Sequence, residues 1–361
     1  MHTQSKFRLL VVRLGAMGDI LHALPAVTAL RRAHPAWEID WVVEPAWTAL
    51  LSARDGAGGP DRRPDRGPDQ PLVDGVIPAR TKAWKRKPLS GQTLGEIGRL
   101  RRTLQGGAYD AVVDFQGAVR SALLGWSSGC GRRIGEDAPR EWAARWLFTE
   151  RAVTRGAHVI EQDVELASAI AGDELELVQP WLPVDAAAER WCKELLGSGA
   201  RLPLALLNPG AGWGAKRWPV ERYAKVAAAL AGLGFRVLVN AGPREEALGE
   251  GLEAQSGGAA TAVRCSLAEL IALTRRAAVV IAGDTGPLHL ACALGRPVVG
   301  IYGPTDPARN GPYGTRFKVL RSPLSVRNHA RIDAPEAGLL TISPEDVLRA
   351  VDEVLTPEAV Q

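Results

Sequence analysis

Several residue groups in this sequence have the types and spacing for chemistry on a phosphate-bearing ligand. Gly283-Asp284-Thr285-Gly286 interrupts the β-branched run Val279–Ala282, and Pro287 follows. A strand that feeds a glycine-containing turn and a helix leaves backbone N–H groups unpaired at the helix N-terminus, where anions bind. Asp284 or Thr285 suits the N-cap, and His289 lies one turn into the helix. The turn Gly303–Pro307 follows the next strand at the same sheet edge. A second loop, Asn208–Pro219 (NPGAGWGAKRWP), has the glycines for close backbone approach, and its Lys216 and Arg217 could neutralise a diphosphate. Glu245, shortly after the run Phe235–Asn240, is placed either to bond ribose hydroxyls or to favour a helix dipole. Asp19 closes the turn Arg13–Asp19 (RLGAMGD), where a carboxylate either removes a proton from a hydroxyl or caps the following helix. Lys82, Lys85 and Arg86 surround Trp84 and either hold an acidic acceptor or solvate a surface. There is no clustered DxD and no His pair at ligand spacing, so no metal site is expected. Leaving-group charge then falls to Lys216, Arg217 and helix N-termini.

These groups need elements to hold them. Phe7–Val12 reads as a strand, Ile20–His34 as a helix burying Leu21, Leu24, Val27 and Leu30, and Ile39–Val43 as a strand. That is a β-turn-α-β start. Its turn spaces Gly15 and Gly18 as GxxG, which is not the dinucleotide fingerprint. Arg54–Pro71 contains only Arg, Asp, Gly, Ala, Pro and Gln, a composition that predicts a mobile loop. Further on, the pattern predicts a helix over Leu94–Leu104, a strand over Ala111–Phe115 and a helix carrying Arg120. Arg140–Phe148 and Val159–Ala171 read as helices. A linker with Pro180 and Pro183 precedes the helix Ala186–Leu196. The strands Leu204–Leu207 and Phe235–Asn240 alternate with the helices Val220–Ala231 and Leu267–Arg276. Ser343 caps a last helix to Leu355, with Pro344 in its first position. The expected architecture is two doubly wound α/β domains facing a cleft, over residues 1–180 and 181–342, with 343–361 as a C-terminal helix and tail.

At 361 residues, 46% of them hydrophobic and 23% charged, the chain has room for two such domains. A net charge of +4 and a pI near 9.0 suit an anionic partner, and the chain lacks the signatures of nucleic-acid modules. The four cysteines are scattered, as for reduced core thiols in a cytoplasmic protein. The apolar run Leu9–Val12 is too short for a signal peptide, and no run approaches a membrane span. The expected location is the cytoplasm, or the inner face of a membrane as a peripheral protein.

Taken together, the segments RLGAMGDILHALPA (Arg13–Ala26), AWKRK around Trp84, DFQGAVRSAL (Asp114–Leu123), NPGAGWGAKRWP (Asn208–Pro219), GPREEA (Gly242–Ala247) and GDTGPLHLACALGRPVVGIYGPTDP (Gly283–Pro307) resemble the lipopolysaccharide heptosyltransferases of glycosyltransferase family 9, heptosyltransferase I type. They recur in family order across nearly the whole chain. The resemblance implies a GT-B fold of two Rossmann-like domains, acceptor on the N-terminal one and ADP-heptose on the C-terminal one. It implies inverting, metal-independent transfer of heptose to the Kdo of the lipopolysaccharide inner core, with no cofactor. Asp19 matches the general base. Lys216 matches the diphosphate-binding lysine, Glu245 a ribose contact, Asp284, Thr285 and Gly286 the donor-phosphate turn, and His289 its helix histidine. Lys82, Lys85 and Arg86 match a basic patch toward a Kdo-lipid A acceptor, with Arg120 and Arg140 assisting there. The implied enzyme is cytoplasmic, peripheral on the cytoplasmic face of the inner membrane, and binds no nucleic acid. The alternatives are a family member adding a later heptose or another sugar, a nucleotide-sugar 2-epimerase on the same fold, and a non-catalytic nucleotide-binding module.

Overall fold

The computed structural model describes residues 6–53, 71–197, 202–242, 245–328 and 333–356. Residues 54–70 of the expected mobile loop, and Pro243 and Arg244, lie outside them. The chain divides into two compact units, Met1–Val184 and Asp185–Gln361.

The first unit runs β1 (Arg8–Val12), α1 (Met17–Ala33), β2 (Glu38–Val43), β3 (Gly75–Pro78), α2 (Thr81–Arg86), α3 (Gly91–Gly106), β4 (Ala111–Asp114), α4 (Val119–Ser127), β5 (Arg133–Glu136), β6 (Glu150–Ala152) and α5 (Val159–Ala171). Its strands form one parallel sheet in the order β3-β2-β1-β4-β5-β6. The central strands are apolar from end to end because both faces are covered: Leu9–Val12 and Ala111–Val113 are buried throughout. Helix α1 is buried almost all round, from Ile20 to Arg31, and packs against α5. Burial on that scale offsets the helix hydrogen bond that Pro25 removes, a loss worth about 3 kcal/mol in an exposed helix. His22 and His158 meet edge to face at 5.7 Å between the two helices.

The second unit runs α6 (Ala186–Leu196), β7 (Leu204–Asn208), α7 (Val220–Gly232), β8 (Arg236–Asn240), α8 (Glu246–Gln255), β9 (Ala260–Val263), α9 (Leu267–Thr274), β10 (Ala277–Gly283), α10 (Gly286–Ala293), β11 (Val298–Tyr302), α11 (Pro307–Asn310), β12 (Phe317–Arg321) and α12 (Pro344–Leu355). Its parallel sheet has the order β12-β11-β10-β7-β8-β9. Strand for strand, this is the topology of the first unit.

Three expectations need correction. The expected C-terminal helix, α12, belongs to the second unit, and residues 357–361 of the expected tail lie outside the described residues. Val347, Ala350, Val351 and Val354 of α12 join Val226, Leu230, Val299 and Ile301 in the core of the second unit. The division between the units falls after Val184, because Trp181 and Leu182 are buried and the Trp181 N–H bonds the Thr28 hydroxyl on α1 at 3.2 Å. The expected helix at Arg140–Phe148 is a 3-10 turn over Trp142–Leu147.

Candidate active site

In a doubly wound sheet, ligands bind beyond the carboxyl ends of the strands, where the crossovers leave in opposite directions. That switch point lies between β1 and β4 in the first unit and between β7 and β10 in the second. The candidate residues cluster at both.

At the first switch point, α1 starts at Met17, three residues earlier than expected. Asp19 is therefore in the first helical turn rather than before it. The reason is local: its carboxylate, at the third helical position, reaches back to accept the Ala16 N–H at 2.9 Å, and Ala16 has no side-chain acceptor of its own. The other oxygen faces the Arg13 guanidinium at 3.5 Å, and the side chain remains 38% exposed. Asp19 thus caps its helix and still presents a carboxylate to solvent. Arg13 is buried, with its Nε on the Asp19 carbonyl and its Nη1 on the Phe115 carbonyl, so it ties the β1 turn to the β4 turn. Gln116 adds a second tie through the Leu14 N–H at 2.8 Å. Gly15, at φ +143°, lies under Trp47: a Cβ there would come within 2.7 Å of the indole nitrogen.

The basic residues divide. Lys82 sits over the Trp47 ring at 5.8 Å, so it belongs to the Asp19 turn. The buried carboxylate of Glu44, at the end of β2, accepts the Lys82 N–H at 2.9 Å and fixes the start of α2. The Arg140 backbone crosses Gly117, which takes φ +60° at the β4 turn. Lys85 and Arg120 line a separate groove between α2, α3 and α4. Arg86 is exposed at the end of α2.

At the second switch point, Lys216 Nζ lies 2.5 Å from Asp284 Oδ2 and 3.3 Å from the Asp284 carbonyl. His289 Nε2 lies 3.3 Å from the other Asp284 oxygen. Burial alone would raise the Asp284 carboxyl, but His289 and Lys216 hold it well below the usual carboxylate range. The Lys216 ammonium also stands 4.6 Å over the Trp213 ring. Thr285 is the N-cap of α10 but makes no side-chain cap; its hydroxyl turns back to the Gly283 carbonyl at 3.2 Å. Gly286 then begins α10. The arrangement is a half-buried ammonium beside a helix N-terminus without a side-chain cap, which is chemistry for a phosphate. Arg217 and Glu245 form a second pair at 3.7 Å, with Glu245 lying across Gly210, where a Cβ would overlap its carboxylate. Among the described residues, no group of three or more His, Cys, Asp or Glu could hold a metal ion.

Sequence reading missed Arg13, Glu44, Asp114, Asn208 and Asn240. Each is a buried polar residue that ends or directly follows an apolar strand run, and that position was the available signal. Asn240 donates to Asn208 Oδ1 at 2.9 Å, joining the ends of β7 and β8. Asp114 accepts the N–H groups of Gln116 and Gly117 at 2.8 and 3.0 Å. Burial pushes its carboxyl up to about 6, against the Ser121 hydroxyl, those two N–H groups and the Arg13 charge. The folded chain therefore holds this proton more tightly than the unfolded one. Stability should fall as pH rises from about 4 to about 6, with the full cost present above that window. Asp114→Asn keeps the acceptor oxygen. It should flatten this slope and gain roughly 1–3 kcal/mol near pH 7, read by urea unfolding across pH. An unchanged slope would show that Asp114 is not the titrating group.

Residues 97–337 match glycosyltransferase family 9 (heptosyltransferase). The chain is 30% identical to lipopolysaccharide heptosyltransferase 1 of Escherichia coli K12, over 88% of this chain and 94% of that one. It is also 30% identical to lipopolysaccharide heptosyltransferase 1 of Pseudomonas aeruginosa, over 85% and 81%. Among solved structures, E. coli heptosyltransferase WaaC with ADP aligns with a TM-score of 0.78 at 27% identity, covering 96% of this chain and 100% of that one. WaaC has also been solved with ADP-2-deoxy-2-fluoro heptose. A family 9 glycosyl transferase from Veillonella parvula aligns at 0.81 with 21% identity over 97% of each chain, which speaks for the fold alone. Two six-stranded parallel Rossmann-like units, with the Asp19 carboxylate at one switch point and the Lys216–Asp284–His289 cluster at the other, thus sit in a chain that belongs to glycosyltransferase family 9, the heptosyltransferases, with the GT-B fold.

Proposed function

We propose that this enzyme transfers L-glycero-D-manno-heptose from ADP-heptose to a Kdo sugar of the lipopolysaccharide inner core, with inversion at the anomeric carbon. The observation that carries the donor side is the Lys216–Asp284–His289 cluster at the β7/β10 switch point. In this reading the ADP diphosphate lies on Lys216 and the α10 N-terminus, with Thr285 and Gly286 supplying backbone contact. Arg217 adds charge, and Glu245 takes the ribose hydroxyls. Asp284 is too tightly held to act as a base; it positions Lys216. The similarity to WaaC, solved with ADP and with an ADP-heptose analogue, supports this donor.

On the acceptor side, Asp19 is the general base. It takes the proton of the acceptor hydroxyl as that oxygen bonds the anomeric carbon, and the bond from that carbon to the diphosphate breaks. ADP leaves carrying the electron pair, its charge met by Lys216 and the helix N-terminus. Arg13 holds the Asp19 turn against β4, so it is a positioning residue. Lys82, beside this turn, and Arg140, at the neighbouring β4 turn, meet acidic groups of the acceptor, and Lys85, Arg86 and Arg120 extend that basic surface. Kdo-lipid A fits the charge. Among the described residues no helix is long and apolar enough to cross a membrane, so a lipid-borne acceptor would be met by peripheral contact at the inner membrane.

Asp19→Ala should lower kcat by about two to four orders of magnitude while ADP affinity stays near that of the parent. An equal loss of ADP affinity would make Asp19 structural. Lys216→Ala should raise the ADP-heptose KM by roughly tenfold to a hundredfold, the worth of one charge-assisted hydrogen bond. An unchanged KM would remove Lys216 from the phosphate site.

A further inference from the structure

One face of the first unit combines large exposed apolar side chains with a concentration of positive charge. Ile97, Leu123 and Trp126 line the groove of about 560 Å³ between α2, α3 and α4. Trp126 is 53% exposed. The 3-10 turn at 142–147 packs beside α4, tied by the Val119 N–H to the Glu141 carboxylate at 2.8 Å. It adds Trp142 and Trp146, 61% and 74% exposed, edge to face at 5.6 Å. Leu89, in the turn between α2 and α3, is 86% exposed.

The charge is one-sided on the α2–α3 part of this face, while the turn carrying Trp142 and Trp146 is balanced, Asp137 and Glu141 against Arg140 and Arg145. Residues 81–106 hold seven Lys or Arg and a single Glu, Glu96, a net +6 where the whole chain has only +4. That Glu accepts the Trp84 indole N–H at 2.8 Å. Three of the cations nearest the apolar residues, Lys85, Arg101 and Arg120, line the groove itself. Monomeric proteins seldom leave a run of large apolar side chains in water without a partner for it. Tryptophan suits a boundary that is apolar on one side and wet on the other. Basic residues beside it are drawn to anionic headgroups.

We infer that this face, built by α2, α3, α4 and the turn at 142–147, seats on the surface of an anionic phospholipid bilayer, with Trp126, Trp142 and Trp146 entering the interface. A nucleic acid would use the cations and could stack bases on the tryptophans but would leave the aliphatic Leu89, Ile97 and Leu123 in water; an anionic bilayer uses all of them. The inference deepens the reading of a lipid-borne acceptor by naming the surface that approaches the lipid, and it is separable from it.

The test is co-sedimentation of the full chain with phosphatidylcholine vesicles, with and without phosphatidylglycerol, and with no donor or acceptor present. Because no sugar is transferred, the result does not depend on the proposed activity. Binding is expected only to the anionic vesicles, with a blue shift of tryptophan fluorescence and weakening by salt. The triple variant Trp126→Ser, Trp142→Ser, Trp146→Ser, with its melting temperature unchanged, should bind about tenfold more weakly or worse. Should that variant fold poorly, quenching of the parent's fluorescence by brominated lipid reads the same insertion. No binding by the parent, no quenching, or equal binding by a folded triple variant would overturn the inference. So would a parent that sediments as a dimer and a triple variant that sediments as a monomer, since the face would then be an interface between copies.

Discussion

The molecule depends on one topological constraint, met twice. Where two neighbouring parallel strands send their crossovers to opposite faces, a crevice opens beyond their carboxyl ends that no helix fills. β1 and β4 make one such crevice and β7 and β10 make the other, in sheets of identical order. Strand register then decides what stands there. Pairing of Val12 with Asp114 and of Ala282 with Asn208 brings the turns that follow each strand side by side. Arg13 can therefore reach the Phe115 carbonyl, and Lys216 can reach Asp284.

The two crevices are finished with different electrostatics. In the second unit the charges are paired and close, and Lys216 and His289 outweigh the desolvation of Asp284. A carboxylate held this way is unsuited to taking protons, but it can aim an ammonium. In the first unit the balance runs the other way at Asp114, whose burial dominates. Asp19, by contrast, lies at the solvent edge with one oxygen on a backbone N–H and the other toward Arg13. Three carboxylates near strand ends thus have three environments, and only one of them is open to an incoming hydroxyl.

Much of this was legible in the sequence, and the misses share a cause. The central strands announce themselves because burial on both faces demands an unbroken apolar run. The strands that were not anticipated, β3, β5, β6, β9 and β12, lie at or next to sheet edges. At the edges themselves one flank is open, and sequences such as Glu150–Ala152 and Phe317–Arg321 carry charge that hides the strand. The loops with glycine and lysine were readable as breaks after strands because glycine and proline interrupt the apolar runs there. The supporting residues were harder: Glu44 and Asn240 look ordinary until tertiary structure sets them against a helix start or a neighbouring strand end. Asp19 was ambiguous between cap and base, and the structure explains why, since it serves as a cap without surrendering its exposure.

The most direct test of the central claim, a heptosyltransferase with its base at Asp19, is mass spectrometry of the purified chain with ADP-heptose and Kdo-lipid A. The account predicts that the acceptor gains the mass of one heptose as ADP is released, and that Asp19→Ala abolishes the gain while still binding ADP. A full mass gain with Asp19→Ala, or free heptose released with the acceptor unchanged, would contradict it.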